Sequence, residues 1–65
     1  MILSITNFKA RLIAIPQIDN EDYGSFTLNK RYRVYSIHTQ PEYTDFLVAD
    51  DTGVFMWISS AIFRA

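Results

Sequence analysis

Apolar and polar residues alternate most clearly in the stretch "FKARLIAI", residues 8–15. One face of this stretch carries Phe8, Ala10, Leu12 and Ala14, and the other carries Lys9 and Arg11. A period of two is typical of a half-buried strand, so we expect a strand from Phe8 to Ile15. Pro16 ends it, because proline cannot donate a hydrogen bond to a strand ladder.

A second alternating stretch is "FTLNKRYRVYSI", in which Asn29-Lys30 predicts a tight turn because Asn tolerates the left-handed region. After the turn, one face carries Tyr32, Val34 and Ser36, and the other carries Arg31, Arg33, Tyr35 and Ile37. Val34 and Ile37 are the natural core candidates, yet they lie three positions apart. A bulge or a strong bend near Tyr35-Ser36 would bring both inside.

The rest of the chain predicts shorter elements. "YTDFLVA" and "VFMWIS" read as strands joined by the turn "DDTG", and the apolar run Phe46 to Ala49 predicts a central strand covered on both faces. Ser59-Ser60 can cap one helical turn before a last short strand. Residues 16–25, "PQIDNEDYGS", show no periodicity and predict a long loop.

These elements predict an all-β fold, a small five-stranded barrel with one short 3-10 turn before the last strand. Closure is the economical arrangement because it removes edge strands. We assign residues 8–65 to the barrel domain and residues 1–7 to an N-terminal segment. A single domain of 65 residues has a small core, which supplies only about 3–5 kcal/mol of net stability.

Composition narrows the functional classes. The chain is 49% hydrophobic, which excludes a disordered composition, and its net charge of −1 predicts no polyanion partner by bulk charge alone. It has no cysteine, which fits a reducing compartment, and we expect a cytoplasmic protein. The sequence shows no signal peptide and no apolar run of membrane-spanning length.

The order of motifs resembles the small SH3-like barrels common in bacterial and phage genomes. Their pattern is Leu-Thr-x-Gly-Lys-x-Tyr-x-Val, a hydrophobic strand, Asp-Asp-x-Gly, a strand ending near Trp, and a Ser-containing turn before a terminal Phe. The matching residues are Phe26, Thr27, Leu28, Lys30, Tyr32, Val34, Asp50, Asp51, Gly53, Trp57, Ser60 and Phe63. Asn29 stands where glycine is usual. The resemblance spans roughly residues 8 to 64 and implies a phage- or prophage-encoded interaction module.

Asp51-Thr52-Gly53 is also the triplet that carries the catalytic carboxylate of aspartic proteases. Those enzymes need two carboxylates that share a proton, and one chain supplies one triplet, followed here by Val54. Asp-rich turns with glycine ordinarily join two strands, so we interpret the triplet as a turn with an exposed Asp51. The only histidine, His38, reads as an exposed polar residue, and no metal, cofactor or enzyme activity is expected.

Trp57 leads the candidate binding residues, because tryptophan is enriched at binding hot spots. We expect a partner-binding groove around Trp57, framed by Tyr23 and Phe63 and flanked by the acidic loop that contains Glu21 and Asp22. This favours a non-enzymatic module that docks on a host or phage protein to inhibit or recruit it. Packing of Trp57 on the barrel is the alternative.

A basic strand face is the alternative site. Five of the six positive charges lie on or beside the first two long strands, and these are Lys9, Arg11, Lys30, Arg31 and Arg33. If the strands pair, four of them form one face that could bind nucleic acid, with Tyr32 or Tyr35 as stacking groups. The net charge of −1 counts against this. We also expect a homodimer or higher oligomer, paired through the N-terminal segment, with the side chains of "MILSI" and of Tyr35, Tyr43 and Phe55 exposed.

Overall fold

The structure, a computed structural model, describes the backbone of residues 2–65 and the side chains from Phe8 onward. Within this range the chain forms seven strands and one 3-10 turn, Ser60–Ile62. The strands are β1 (Ile2–Leu12), β2 (Gln17–Ile18), β3 (Glu21–Asp22), β4 (Arg31–Thr39), β5 (Thr44–Ala49), β6 (Phe55–Ser59) and β7 (Phe63–Arg64). The all-β prediction is confirmed, and the 3-10 turn lies directly before the last strand as predicted.

Five strands form one antiparallel sheet in the order β6-β5-β4-β1-β7. The predicted closed barrel is not formed, because no ladder joins β6 to β7 in the part of the chain that the structure describes. The 3-10 turn carries the chain from one edge of the sheet to the other. There the two residues of β7 pair with Arg11 and Leu12 of β1 and leave the sheet open.

Strand β1 differs from its predicted bounds at both ends. It begins at Ile2, so it crosses the boundary at residue 8 that we drew between segment and domain, and its first residues pair with the end of β4. It ends at Leu12, three residues before the predicted end at Ile15. The ladder between β1 and β4 ends at the pair Arg11 and Arg31, because Arg31 is the first residue of β4. The expected exposure of the "MILSI" side chains lies outside the described side chains.

The predicted bulge lies at the expected level of the sheet but in the neighbouring strand. The register between β1 and β4 shifts between Ile5 and Phe8, where residues 6 and 7 of β1 face Tyr35 alone. An extra residue of this kind bends the strand and increases its twist. Val34 is fully buried, and Ile37 is half-buried and packs against the core, so both contact it as expected.

The core lies on one face of the sheet. Its buried apolar side chains are Ala10, Leu12, Tyr32, Val34, Val48, Ile58 and Phe63. They follow the predicted alternation on β1 and β4. Strand β5 is central in the sheet, as predicted, but Phe46, Leu47 and Ala49 are only half-buried, so the prediction that both of its faces are covered is wrong.

Residues 16–25 are not the structureless loop that we predicted. Strands β2 and β3 pair as a small ribbon, in which Gln17 faces Asp22 and Ile18 faces Glu21. Asp19 and Asn20 connect them with φ angles of 54° and 66°. Two consecutive positive φ angles are the mark of a type I′ turn, which Asp and Asn tolerate and which joins paired strands in two residues. The Asp19-Asn20 pair was therefore the feature of the sequence that could have predicted this turn and its two strands.

Candidate functional site

The Asp-Asp-Thr-Gly segment forms the turn between β5 and β6, as predicted. Asp50 is buried, and its carboxylate closes the turn. One oxygen, Oδ1, accepts hydrogen bonds from the Thr52 backbone N–H (2.9 Å), the Thr52 hydroxyl (2.7 Å) and the Val54 N–H (3.0 Å). The other oxygen accepts from the Ser25 N–H at 3.1 Å. These bonds, led by the Thr52 hydroxyl, lower the pKa of Asp50 to about 2.

Asp51 is an exposed turn residue, as predicted, but its carboxylate also accepts hydrogen bonds from three side chains. Its Oδ1 accepts from the Lys30 ammonium at 2.7 Å and from the Tyr32 hydroxyl at 2.8 Å, and its Oδ2 accepts from the Thr27 hydroxyl at 2.6 Å. The Lys30 bond is the largest cause that lowers the pKa of Asp51 to about 2. Asp51 therefore ties the β5–β6 turn to the segment that leads into β4.

The pKa values of the Asp50 and Asp51 carboxyl groups are lowered to the same extent, and this bears on whether the pair could act in acid–base catalysis. Two acids that share one proton hold one pKa well above its ordinary value. Here the pKa of Asp50 and that of Asp51 both lie near 2, so both carboxylates are ionised and occupied by donors from the protein itself. Their arrangement supports a structural role.

The predicted groove is not assembled. Trp57 is 41% exposed, so it is a surface residue, but Phe63 is 4% exposed and belongs to the core, where it cannot frame a groove. Tyr23 is half-buried and packs against the core. Its neighbour Gly24 lies against Met56, whose side chain points to the opposite side of β6 from that of Trp57.

The acidic part of that prediction lies on the ribbon. Glu21 and Asp22 are both exposed in β3, and the Asp22 carboxylate accepts a hydrogen bond from the Gln17 side-chain amide at 3.1 Å. The ribbon joins the rest of the chain through the segment that contains Tyr23 and Gly24.

Trp57 instead lies in a cluster of rings on the outer face of the sheet. The cluster, which we call the aromatic patch, contains Tyr35, His38, Phe55 and Trp57. The Tyr35 and Phe55 rings meet edge to face with centroids 5.0 Å apart, and the His38 and Trp57 rings do so at 5.6 Å. Phe55 is 55% exposed. The predicted exposure of Phe55 is confirmed, as is that of Tyr43, but Tyr35 is half-buried because Phe55 covers it.

Next to this patch the structure pairs the cations of β1 and β4 directly. Lys9 faces Arg33, and Arg11 faces Arg31 on one side and Arg64 on the other. All five are exposed, and cross-strand partners project from the same face of a sheet. We call the surface formed by Lys9, Arg11, Arg31, Arg33 and Arg64 the basic face.

The basic face differs from its prediction at two positions. Lys30 does not belong to it, because its ammonium is bound to Asp51, which also raises the pKa of Lys30. Arg64 belongs to it and was missed. The alternation of Phe63 and Arg64 in the last strand was the available signal, since a buried Phe63 directs Arg64 outward.

No carboxylate neutralises the basic face. Lys30–Asp51 is the single ion pair among residues 8–65. Arg11 donates to the Asn29 side-chain oxygen at 3.4 Å, and Arg64 donates to the carbonyls of Ala61 and Phe63, which are neutral acceptors. The Arg33 guanidinium lies over the Tyr35 ring, 5.0 Å from its centroid, and so joins the basic face to the aromatic patch.

Two further findings concern metal binding and membrane insertion in the described part of the chain. It contains no cluster of three His, Cys, Asp or Glu side chains that could hold a metal ion. None of its helical segments has the length and apolar character needed to cross a membrane. Comparison with protein-family models, curated proteins and solved structures finds no match to this chain.

Proposed function

We propose that this chain is a non-enzymatic, SH3-like interaction module that docks on another protein through the aromatic patch. The partner is a host or phage protein that the module inhibits or recruits, as the resemblance to the small barrels of phage genomes implies. The lack of cysteine fits a reducing compartment, and we place the module in the cytoplasm.

The strand arrangement supports the SH3-like part of the proposal. The barrels that the motifs resemble have a Ser-containing turn before a terminal Phe. Here the turn Ser60–Ile62 leads into β7, which returns to lie beside β1. The open edge between β6 and β7 is a departure from a closed barrel. The patch lies on the outer face of β4 and β6.

The solvent exposure of the aromatic patch is the main observation that supports it as the docking site. Phe55 and Trp57 project from the same face of β6 and are 55% and 41% exposed. Tyrosine, tryptophan and phenylalanine are enriched in the buried centres of protein interfaces, where they supply desolvation energy. Each ring already rests edge-on against a neighbour, Tyr35 or His38, so binding orders few new torsions and costs less entropy.

Substitution of Trp57 tests the proposal. A partner captured on the immobilised chain is purified and titrated against the wild type, Trp57→Ala and Leu28→Ala. Leu28 is a matched control, because it is 49% exposed and lies outside the patch. We expect Trp57→Ala to weaken binding by at least about 2 kcal/mol, roughly 30-fold, and Leu28→Ala to leave it unchanged.

Circular dichroism accompanies the titration, since a folded variant is required for the comparison. A folded Trp57→Ala chain that binds the purified partner with wild-type affinity would remove the aromatic patch as the docking site. Equal losses for Trp57→Ala and Leu28→Ala would do the same, because they would report a general effect on stability.

A further inference from the structure

We propose that the basic face binds single-stranded nucleic acid, as a second surface beside the protein-docking patch. The inference rests on the placement of five cations from three strands on one side of the sheet, and it does not depend on the proposed protein partner.

The sheet sets the spacing of these cations. Arg31, Arg11 and Arg64 lie in one row across β4, β1 and β7, and Arg33 and Lys9 lie in a second row. Neighbouring strands are about 5 Å apart, and alternate residues along a strand are about 7 Å apart. Five positive groups therefore occupy a surface only about 10 Å across, and the row spacing lets an extended chain of anions pass over both rows.

Folding alone gives no reason for this arrangement. Like charges placed directly opposite one another on paired strands are destabilising. The face has three such pairs, Lys9 with Arg33 and Arg11 with both Arg31 and Arg64. All seven acidic residues lie elsewhere, in the ribbon, in the turns flanking β5 and at the start of β5. Within residues 8–65, the chain places no acidic side chain against the basic face. A bound polyanion would supply that negative charge and relieve the repulsion between the cations.

The border with the aromatic patch favours a single strand over a duplex. Tyr35 carries the Arg33 guanidinium against its ring and adjoins the half-exposed ring of Phe55. Proteins that bind single strands combine cations for the backbone with aromatic rings on which unpaired bases stack. A duplex keeps its bases stacked inside and would use only the cations.

The test is fluorescence anisotropy with a labelled oligothymidylate and an oligouridylate of about 15 nucleotides, within the range bound by small β-barrels. If all five cations contact phosphates, the logarithm of affinity falls with the logarithm of salt concentration with a slope of about −3.5. Affinity then drops on the order of 100-fold between about 50 and about 200 mM salt.

Three variants locate the site. Arg11→Gln/Arg31→Gln removes two cations and should reduce the magnitude of the slope by about 1.4. Lys30→Gln removes one charge that lies outside the face and should leave the slope unchanged. Phe55→Leu should weaken binding by at least about 5-fold through lost stacking, without altering the slope.

Other outcomes would overturn the proposal. These are no binding at the lowest salt concentration, equal affinity for a duplex of the same length, and equal affinity for polyglutamate, which would identify an acidic protein as the ligand. A Lys30→Gln variant that reduces the slope by half as much as the double variant would show that net charge alone is responsible. Trp57→Ala separates the two proposals, because it should weaken protein docking and leave the salt slope unchanged.

Discussion

The two glycines of the chain provide a controlled test of how the inner side of the sheet is packed. Both have positive φ, 78° at Gly24 and 87° at Gly53. An alanine at either position is held in the left-handed region at a cost of about 1–2 kcal/mol. A Cβ at Gly53 meets nothing within 4 Å, whereas a Cβ at Gly24 would lie 2.7 Å from the Met56 sulfur and 2.9 Å from the Phe26 ring.

Gly24→Ala should therefore destabilise the protein more than Gly53→Ala. The nearest atoms belong to the flexible end of Met56 and to the edge of the Phe26 ring, so overpacking adds about 1 kcal/mol, the low end of its usual range, and gives a total of about 2–3 kcal/mol at Gly24 against about 1–2 at Gly53. The whole domain has only about 3–5 kcal/mol to lose. We expect both variants to fold, Gly53→Ala with a urea midpoint lowered by about 1–2 M and Gly24→Ala with a midpoint lower still.

A double-mutant cycle separates the contact from the backbone strain. Met56→Ala removes the nearest atoms, so Gly24→Ala should cost at least about 0.5 kcal/mol less in that background than in the wild type. Urea titrations followed by circular dichroism measure the four stabilities, with temperature lowered until each variant folds. Equal costs at Gly24 and Gly53, or additivity with Met56→Ala, would refute the close packing of residues 23 and 24 behind β6 and with it the separation of Tyr23 from Trp57.

Two further predictions concern acid and self-association. The pKa values of Asp50 and Asp51 lie near 2, below their usual 3.8, so their stabilisation is complete above about pH 4 and is lost as pH falls towards 2. Asp51→Asn should lower the melting temperature at pH 7 and flatten this acid limb, and an unchanged melting curve would contradict the hydrogen-bond network. The expected homodimer or higher oligomer, paired through the N-terminal segment, stays a prediction. Sedimentation at about 100 μM should show a dimer or larger assembly, and a wild-type monomer would refute it.

Short-range patterns account for what the sequence predicted correctly. Alternation placed Lys9 and Arg11 on the outer face of β1 and Ala10 and Leu12 in the core, because side-chain direction follows from the strand itself. The left-handed conformation at Asn29, with a φ of 67°, likewise follows from the residue type.

Long-range relations account for the errors. Whether Trp57 and Tyr23 share a surface depends on which side of β6 the ribbon connection passes, and no local pattern contains that information. The partners of Asp51 lie 19 to 24 positions earlier in the chain, so its role could not be read from the turn. Arg64 was missed because the return of the last strand to β1 decides its neighbours.

The outer face of the sheet is where this chain departs most from what stability alone would select. The inner face follows the pattern of a small core: its buried apolar side chains alternate along β1 and β4, and the buried Asp50 carboxylate at the β5–β6 turn accepts hydrogen bonds on both oxygens. The outer face places cations opposite cations and leaves Phe55 and Trp57 in solvent. In a domain with only a few kcal/mol of net stability, such departures are expected mainly at functional sites. A neutral replacement such as Arg11→Gln should therefore raise the melting temperature while it weakens ligand binding. A variant that loses stability would show that the cations are held by interactions of the fold itself.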